Sequence, residues 1–191
     1  MIEANEIRTL LGKQLDAIAD SGLRDKVIQT WVLACQRGRW KSVDDLRNMP
    51  FSLLTDSRGI GFVEHTMAVT EGAVALARSQ MESVRELPYP VDMDRLVAGG
   101  LLHDVGKLLE IEPDGKGGYK KSRNGQILRH PISGALLASE CGIPEAVLNV
   151  IACHSKEGEG QPQVVETVFV HQADFASFIP LAMKKNGLLI V

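Results

Sequence analysis

The dipeptide His103-Asp104, with Lys107 four residues after the histidine, sets an imidazole, a carboxylate and an ammonium inside the apolar run LVAGGLLHDVGKLLEI. Leu101, Val105, Leu108 and Leu109 recur at helical spacing, which predicts a buried helix over 96–111. Consecutive helix positions differ by about 100°, so His103 and Asp104 can both reach an ion beside the helix. A carboxylate has two oxygens, so Asp104 could bridge two ions. Lys107 returns to the face of His103, where its ammonium could meet an anion held by such ions. The alternative is a helix lysine that carries its charge to solvent along an apolar stem. Gly106 removes a side chain where a ligand or a neighbouring helix approaches.

Four further segments carry ligand-type residues on apolar faces. His65 shares a face with Phe62, Val69, Ala73 and Leu76, and His154 with Val147, Val150 and Ile151. Asp174 lies among Val170, Ser177 and Phe178, and His130 stands before Pro131 at a helix start. Burying such groups costs free energy unless each is paired. A common partner for several of them is a metal ion. Imidazole with carboxylate suits Zn, Fe, Mn, Co or Ni, and Mn or Mg as oxygen ligands increase. His171 reads as an ordinary helix histidine and Cys153 as a buried thiol.

The elements that must position these residues are helical. Amphipathic helices are expected over 3–20 and 23–37, separated by Ser21-Gly22, with a short one at 42–48 ended by Pro50. Residues 51–59 read as a loop and 62–80 as a helix. The break LPYP precedes the helix with the opening stretch. Residues 112–129 form a Gly-rich excursion whose Asp-Gly and Asn-Gly pairs predict a small hairpin or flap. Pro131 and Pro144 suit the first turns of two short helices, with Gly142 ending the first. A last helix covers 163–179, bent or ended by Pro180. The expected fold is therefore all-α with one hairpin at most. One domain spans 1–191, with a metal-binding core over 60–180 and residues 1–58 packed on it as a helical extension.

Composition narrows the function classes. A formal charge of −3 argues against a protein-wide basic field for nucleic acid, and 5% aromatics leave no stacking stripe for single strands. The three cysteines, Cys35, Cys141 and Cys153, lack CxxC spacing, which predicts free thiols in a reducing compartment. The polar N-terminus MIEANEIRTL is no secretory signal, and no apolar run approaches the ~18 residues of a membrane span. A cytoplasmic protein is the expectation, and a homodimer is compatible with it.

The ordered set His65, His103-Asp104, His130, His154 and Asp174 resembles the HD domain superfamily of metal-dependent phosphohydrolases, in its dinuclear branch. HDVGK is similar to the HDxGK of cyclic-dinucleotide phosphodiesterases and of the ribonuclease Y catalytic domain. The stretch RHPISGALLASECGIPEAVLNVIACHS continues the likeness, which covers roughly 60–180. The resemblance implies an HD-type helical bundle with two divalent ions that activate water for attack on phosphorus. It implies one ion on His65, His103, Asp104 and Asp174, and a second on His130 and His154, with Asp104 bridging. Three departures stand out. Ser155 follows His154 where relatives often carry a second histidine, and Gly61 stands where they carry a glutamate. The Gly-Tyr-Pro of cyclic-di-GMP phosphodiesterases is missing. The first two count against a trinuclear site and the third against that substrate.

The expected activity is metal-dependent hydrolysis of a phosphomonoester or phosphodiester of a nucleotide or similar small molecule, with Asp104 and Lys107 as catalytic residues. Lys107 would neutralise phosphate charge. The flap offers Lys116, Lys120, Lys121, Arg123 and Arg129 against Glu112 and Asp114, so Lys120, Arg123 and Arg129 are candidate phosphate contacts. Arg58 is another. The ions expected are Mn, Fe, Co or Ni, with Mg or Zn as further candidates. Nucleic acid is the less favoured partner. Two rival readings keep the same residues: a mixed-valent di-iron oxygenase of organophosphonates or polyols, and a nucleotide-sensing module without turnover.

Overall fold

The computed structural model describes residues 1–190. The chain runs through α1 (Ala4–Asp16), α2 (Ser21–Gly38), α3 (Val43–Asn48), α4 (Phe62–Ser83), α5 (Met93–Leu102) and α6 (Lys107–Glu110). Strands β1 (Ile111–Pro113) and β2 (Tyr119–Lys121) follow, then α7 (Arg123–Ile127), α8 (His130–Glu140), α9 (Glu145–Cys153), a 3₁₀ turn at Lys156–Gly158 and α10 (Val165–Lys185). This is the expected all-α fold, with one antiparallel pair in which Ile111 faces Lys121 and Pro113 faces Tyr119.

The first two helices divide earlier than the Ser21-Gly22 pair suggests. The Asp20 carboxylate accepts from the Gly22 and Leu23 amides, which makes Ser21 the first residue of α2. Asp94, near the start of α5, accepts from the amides of Ala19 and Asp20 at 2.7 and 2.8 Å. A single apolar cluster then joins the first 58 residues to the rest. Ile7, Leu11, Leu15, Val27 and Trp31 belong to the same core as Leu101, Val105, Leu108, Leu137 and Ile151. A second cluster gathers Val69, Ala73, Leu96, Val150, Phe169 and Val170.

The helix expected over 96–111 is broken, and the reason is chemical. At the end of α5 the Leu101 carbonyl accepts from the Trp31 indole at 3.0 Å, and the Gly100 carbonyl from the His103 ring at 2.7 Å. With those acceptors engaged, the backbone tightens to three-residue steps. The amide of Val105 reaches Leu102, that of Lys107 reaches Asp104 and that of Leu108 reaches Val105. The His103–Gly106 turn results. On its far side the Trp40 indole donates to the Leu108 carbonyl at 2.8 Å.

Two other boundaries differ from expectation. The hairpin ends at Lys121, because the Ser122 hydroxyl caps α7 by accepting from the Gly125 amide at 3.0 Å. Pro180 does not end α10, which continues to Lys185.

Candidate metal centre

Five side chains from five places in the chain converge on Asp104. His65 comes from the first turn of α4, His103 and Asp104 from the turn after α5, and His130 from the first position of α8. His154 caps the C-terminal end of α9, and Asp174 lies mid-way along α10. Asp104 Oδ2 stands 3.2 Å from His65 Nε2 and 3.3 Å from His103 Nε2. Its Oδ1 stands 3.2 Å from His130 Nε2 and 3.6 Å from His154 Nε2. Asp174 Oδ1 lies 3.1 Å from His65 Nε2. His65, His103, Asp104 and His154 are 0–1% exposed.

The outward nitrogen of each imidazole fixes which atom faces inward. His103 and His154 donate from Nδ1 to the carbonyls of Gly100 and Ile151, which have no proton to return. His130 Nδ1 donates to the Glu110 carboxylate at 3.1 Å. The Ser177 hydroxyl donates to the Asp174 carbonyl, so it accepts from His65 Nδ1 at 3.0 Å. A neutral imidazole has one proton, so all four Nε2 atoms point at Asp104 as lone pairs. Lone pairs facing a carboxylate repel unless a cation lies among them. Consistent with this, Nε2 of His65, His103 and His154 and Oδ1 of Asp104 are buried without a hydrogen-bond partner.

The donor atoms fall into overlapping sets whose members lie within 4.8 Å of one another: His65, His103 and Asp104; His103, His154 and Asp174; and Asp104, His130 and His154. Donor atoms that share one ion lie no more than about twice a metal–ligand bond of roughly 2.0–2.2 Å apart, and the Asp104–imidazole separations of 3.2–3.6 Å fall inside that limit. Imidazole nitrogen with carboxylate oxygen is the donor chemistry of a divalent transition metal. The residues fit such an ion.

Charge at the centre follows the same geometry. Burial pushes the Asp104 carboxyl up, yet Lys107 and the surrounding histidines hold it well below the usual carboxylate range. Asp174 is brought down to about 2, burial being outweighed by the neighbouring His65 imidazole. Burial pulls His65 down, but its two carboxylate partners leave it raised. For His130 burial wins over Glu110 and Asp104, and the ring is lowered.

Lys107 enters the site, its Nζ 2.5 Å from Asp104 Oδ2. Three of the other four proposed phosphate contacts pair with acidic side chains. Lys120 pairs with Glu112 across the hairpin at 3.3 Å, and Arg129 pairs with Glu157 at 3.1 Å. Arg58 pairs with Asp56 at 3.0 Å, and Arg123 is exposed at the start of α7. The two departures from the wider ligand pattern have structural occupations. The Ser155 hydroxyl donates to Glu157 at 2.5 Å. A Cβ at Gly61 would lie 2.2 Å from the Arg47 carbonyl oxygen.

Three residues at the centre had no part in the sequence argument. Glu110 accepts from both the amide and the ring of His130, Ser177 orients His65, and Phe51 stacks on the His65 ring at 4.3 Å. An acidic residue inside the apolar run LLEI was a signal for Glu110. His171, read as an ordinary helix histidine, donates from Nδ1 to the His154 carbonyl at 2.7 Å and so braces that ligand's backbone.

Comparison with known proteins agrees with this arrangement. The sequence profile of the HD domain matches residues 62–177, well over half of the chain. The chain belongs to the HD domain family. The HD domain match and the ribonuclease Y relatives below support a metal-dependent phosphohydrolase family. Ribonuclease Y of Pseudothermotoga lettingae is 31% identical over 132 residues, covering 69% of this chain and 21% of its own length. Ribonuclease Y of Thermoanaerobacter pseudethanolicus is 36% identical over 104 residues, and that of Borreliella afzelii 39% over 77. These matches cover 53% and 40% of this chain, and 18% and 13% of those relatives. The chain thus spans about a fifth or less of the length of these relatives. No solved structure matches.

Proposed function

We propose that this HD domain is a phosphohydrolase that cleaves a phosphomonoester or phosphodiester of a nucleotide or similar small molecule at a dinuclear centre. The observation that carries the reading is the four inward Nε2 lone pairs around both oxygens of Asp104, with the Lys107 ammonium beside them. His65, His103, Asp104 and Asp174 would hold one ion, and His130, His154 and Asp104 the other. When bound, such a pair of ions supplies a water acidic enough to attack phosphorus near neutral pH, and positive charge for the phosphoryl oxygens.

The chain's own residues do the rest. Asp104 offers one oxygen to each side, which fixes the spacing of the two halves. Glu110, Ser177 and the Gly100 and Ile151 carbonyls hold the four imidazoles in the ligating tautomer. The near-complete burial of His65, His103 and His154 keeps bulk water from the ligand atoms. Lys107, whose ammonium lies beside Asp104 Oδ2, would donate to a phosphate oxygen and balance its charge.

A second reading replaces the small substrate with an RNA phosphodiester. The likeness to ribonuclease Y favours it. With three free cysteines and no described helix long and apolar enough to cross a membrane, a cytoplasmic setting is part of the proposal.

The test is a panel of phosphomonoesters, cyclic nucleotides, dinucleotides and short RNA, run with Mn, Fe, Co, Ni and Mg. Hydrolysis is expected in at least one combination, and Asp104→Ala should lower it by on the order of a thousandfold or more while far-ultraviolet circular dichroism stays helical. Full activity in Asp104→Ala would sink the mechanism. Iron content with substrate-dependent oxygen uptake would move the assignment to a di-iron oxygenase, and tight nucleotide binding without product to a sensing module.

A further inference from the structure

We propose that Phe51 is a positioning residue for the Lys107 ammonium, an inference that rests on reading Lys107 as the phosphate contact. Phe51 lies outside the segment that matches the HD domain family. It reaches the centre because the chain closes a loop there. Pro50 pairs with Gly61 in an isolated antiparallel bridge, and the Phe62 amide donates to the Met49 carbonyl at 2.7 Å. Phe51 is the first residue beyond this neck.

Its ring, 1% exposed, lies beside two of the three groups that approach one carboxylate oxygen. It stacks on the His65 imidazole with centroids 4.3 Å apart and planes 22° from parallel. Its centroid lies 5.6 Å from Lys107 Nζ. His65 Nε2 and Lys107 Nζ approach the same atom, Asp104 Oδ2, at 3.2 and 2.5 Å. The face of an aromatic ring carries partial negative charge and attracts an ammonium, more strongly where water is excluded.

The consequence concerns what holds Lys107 when Asp104 is engaged by cations. A lysine has a flexible four-carbon stem and many places to put its charge. With an aromatic face beneath it, the ammonium has a second attraction that does not depend on Asp104. It therefore stays over the site, its remaining protons free for a phosphate oxygen. An aliphatic residue at 51 fills similar space and gives no such attraction.

Titrating inorganic phosphate into the manganese-loaded full chain by calorimetry tests this. Phe51→Leu is expected to bind phosphate roughly three- to tenfold more weakly with unchanged bound manganese. In a Lys107→Met background the same substitution should cost nothing further. Should Phe51→Leu lose metal or helical content, ring-fluorinated phenylalanines at 51 keep the shape and drain the ring's charge, and affinity should step down with each fluorine. A loss that is the same with and without Lys107, or an affinity indifferent to fluorination, overturns the proposal. Wild-type protein that binds no phosphate refutes Lys107 as the phosphate contact, and Phe51's role with it.

Discussion

A buried carboxylate surrounded by four imidazole lone pairs is an unstable arrangement unless a cation lies among them, and the residues behind the imidazoles show how it is kept. Glu110 is the most exposed to test, since it holds both the amide and the ring of His130 at 2.7 and 3.1 Å. Glu110→Leu should weaken metal binding by roughly 10- to 100-fold, measured by competition with a chromogenic chelator, with the His130–His154 half emptied first. The same carboxylates set an acid limit for the metal-free protein. Burial raises Glu110 but the His130 contacts outweigh it and bring it to about 2, and Asp174 is likewise at about 2. The unfolded chain therefore binds more protons than the folded one between the ordinary carboxylate range and pH ~2. The stability contributed is present above that range and lost as pH falls through it. Urea unfolding of chelated protein should show a midpoint that drops steadily below pH ~4.5; a midpoint flat from pH 5 to 3 would contradict the two shifts. The six converging residues were legible in the sequence because ligand types on apolar faces are costly without a shared partner. Ser177 and Phe51 were not, since a serine on a helix and a phenylalanine in a loop are ordinary until the chain folds.

At the scale of elements, the His103–Gly106 turn decides the geometry, and Gly106 makes the turn possible. A Cβ there would lie 2.1 Å from the His130 carbonyl oxygen and 2.7 Å from the Gly134 amide nitrogen, both backbone atoms of α8. Gly106→Ala must push α8 away from the turn and carry His130 with it. The expected cost is at least ~3 kcal/mol in chemical denaturation, together with loss of about half the bound metal in elemental analysis. Helix count and order were readable from periodicity, proline and glycine. The break after Leu102 was not, because apolar spacing continues through it unchanged. It arises from Trp31 taking the Leu101 carbonyl and the His103 ring that of Gly100, and Trp31 lies 70 residues upstream of Leu101. The flap was overdrawn for a similar reason. Asn-Gly at 124–125 reads as a turn, yet Ser122 caps it into α7, where Gly125 lets the chain press against the Glu110 backbone.

Across the whole molecule, the candidate ligands span residues 65 to 174 and come from α4, α8, α9, α10 and the turn after α5. A bound ion therefore ties together elements far apart in sequence and favours only the folded chain. Removing metal by chelation should lower the melting temperature by roughly 5–10 °C for an ion held at about a hundred times its dissociation constant. Differential scanning calorimetry with and without chelator checks this, and an unchanged midpoint would mean that the centre does not contribute to folding. The first 58 residues gave no motif in the sequence, and their part became visible only in packing. They supply Trp31 and Trp40, which donate to carbonyls on either side of the His103–Gly106 turn, and Phe51, which stacks on His65.

Trp31 and Trp40 are the only two tryptophans in the chain, and each donates its indole proton to a carbonyl flanking the His103–Gly106 turn. The intrinsic fluorescence of the protein is thus a report on one joint. Emission at short wavelength marks the N-terminal helices seated against the turn, and a red shift marks their departure, with no dye or label. Ligand traffic at the centre that leaves the joint closed stays dark in this channel.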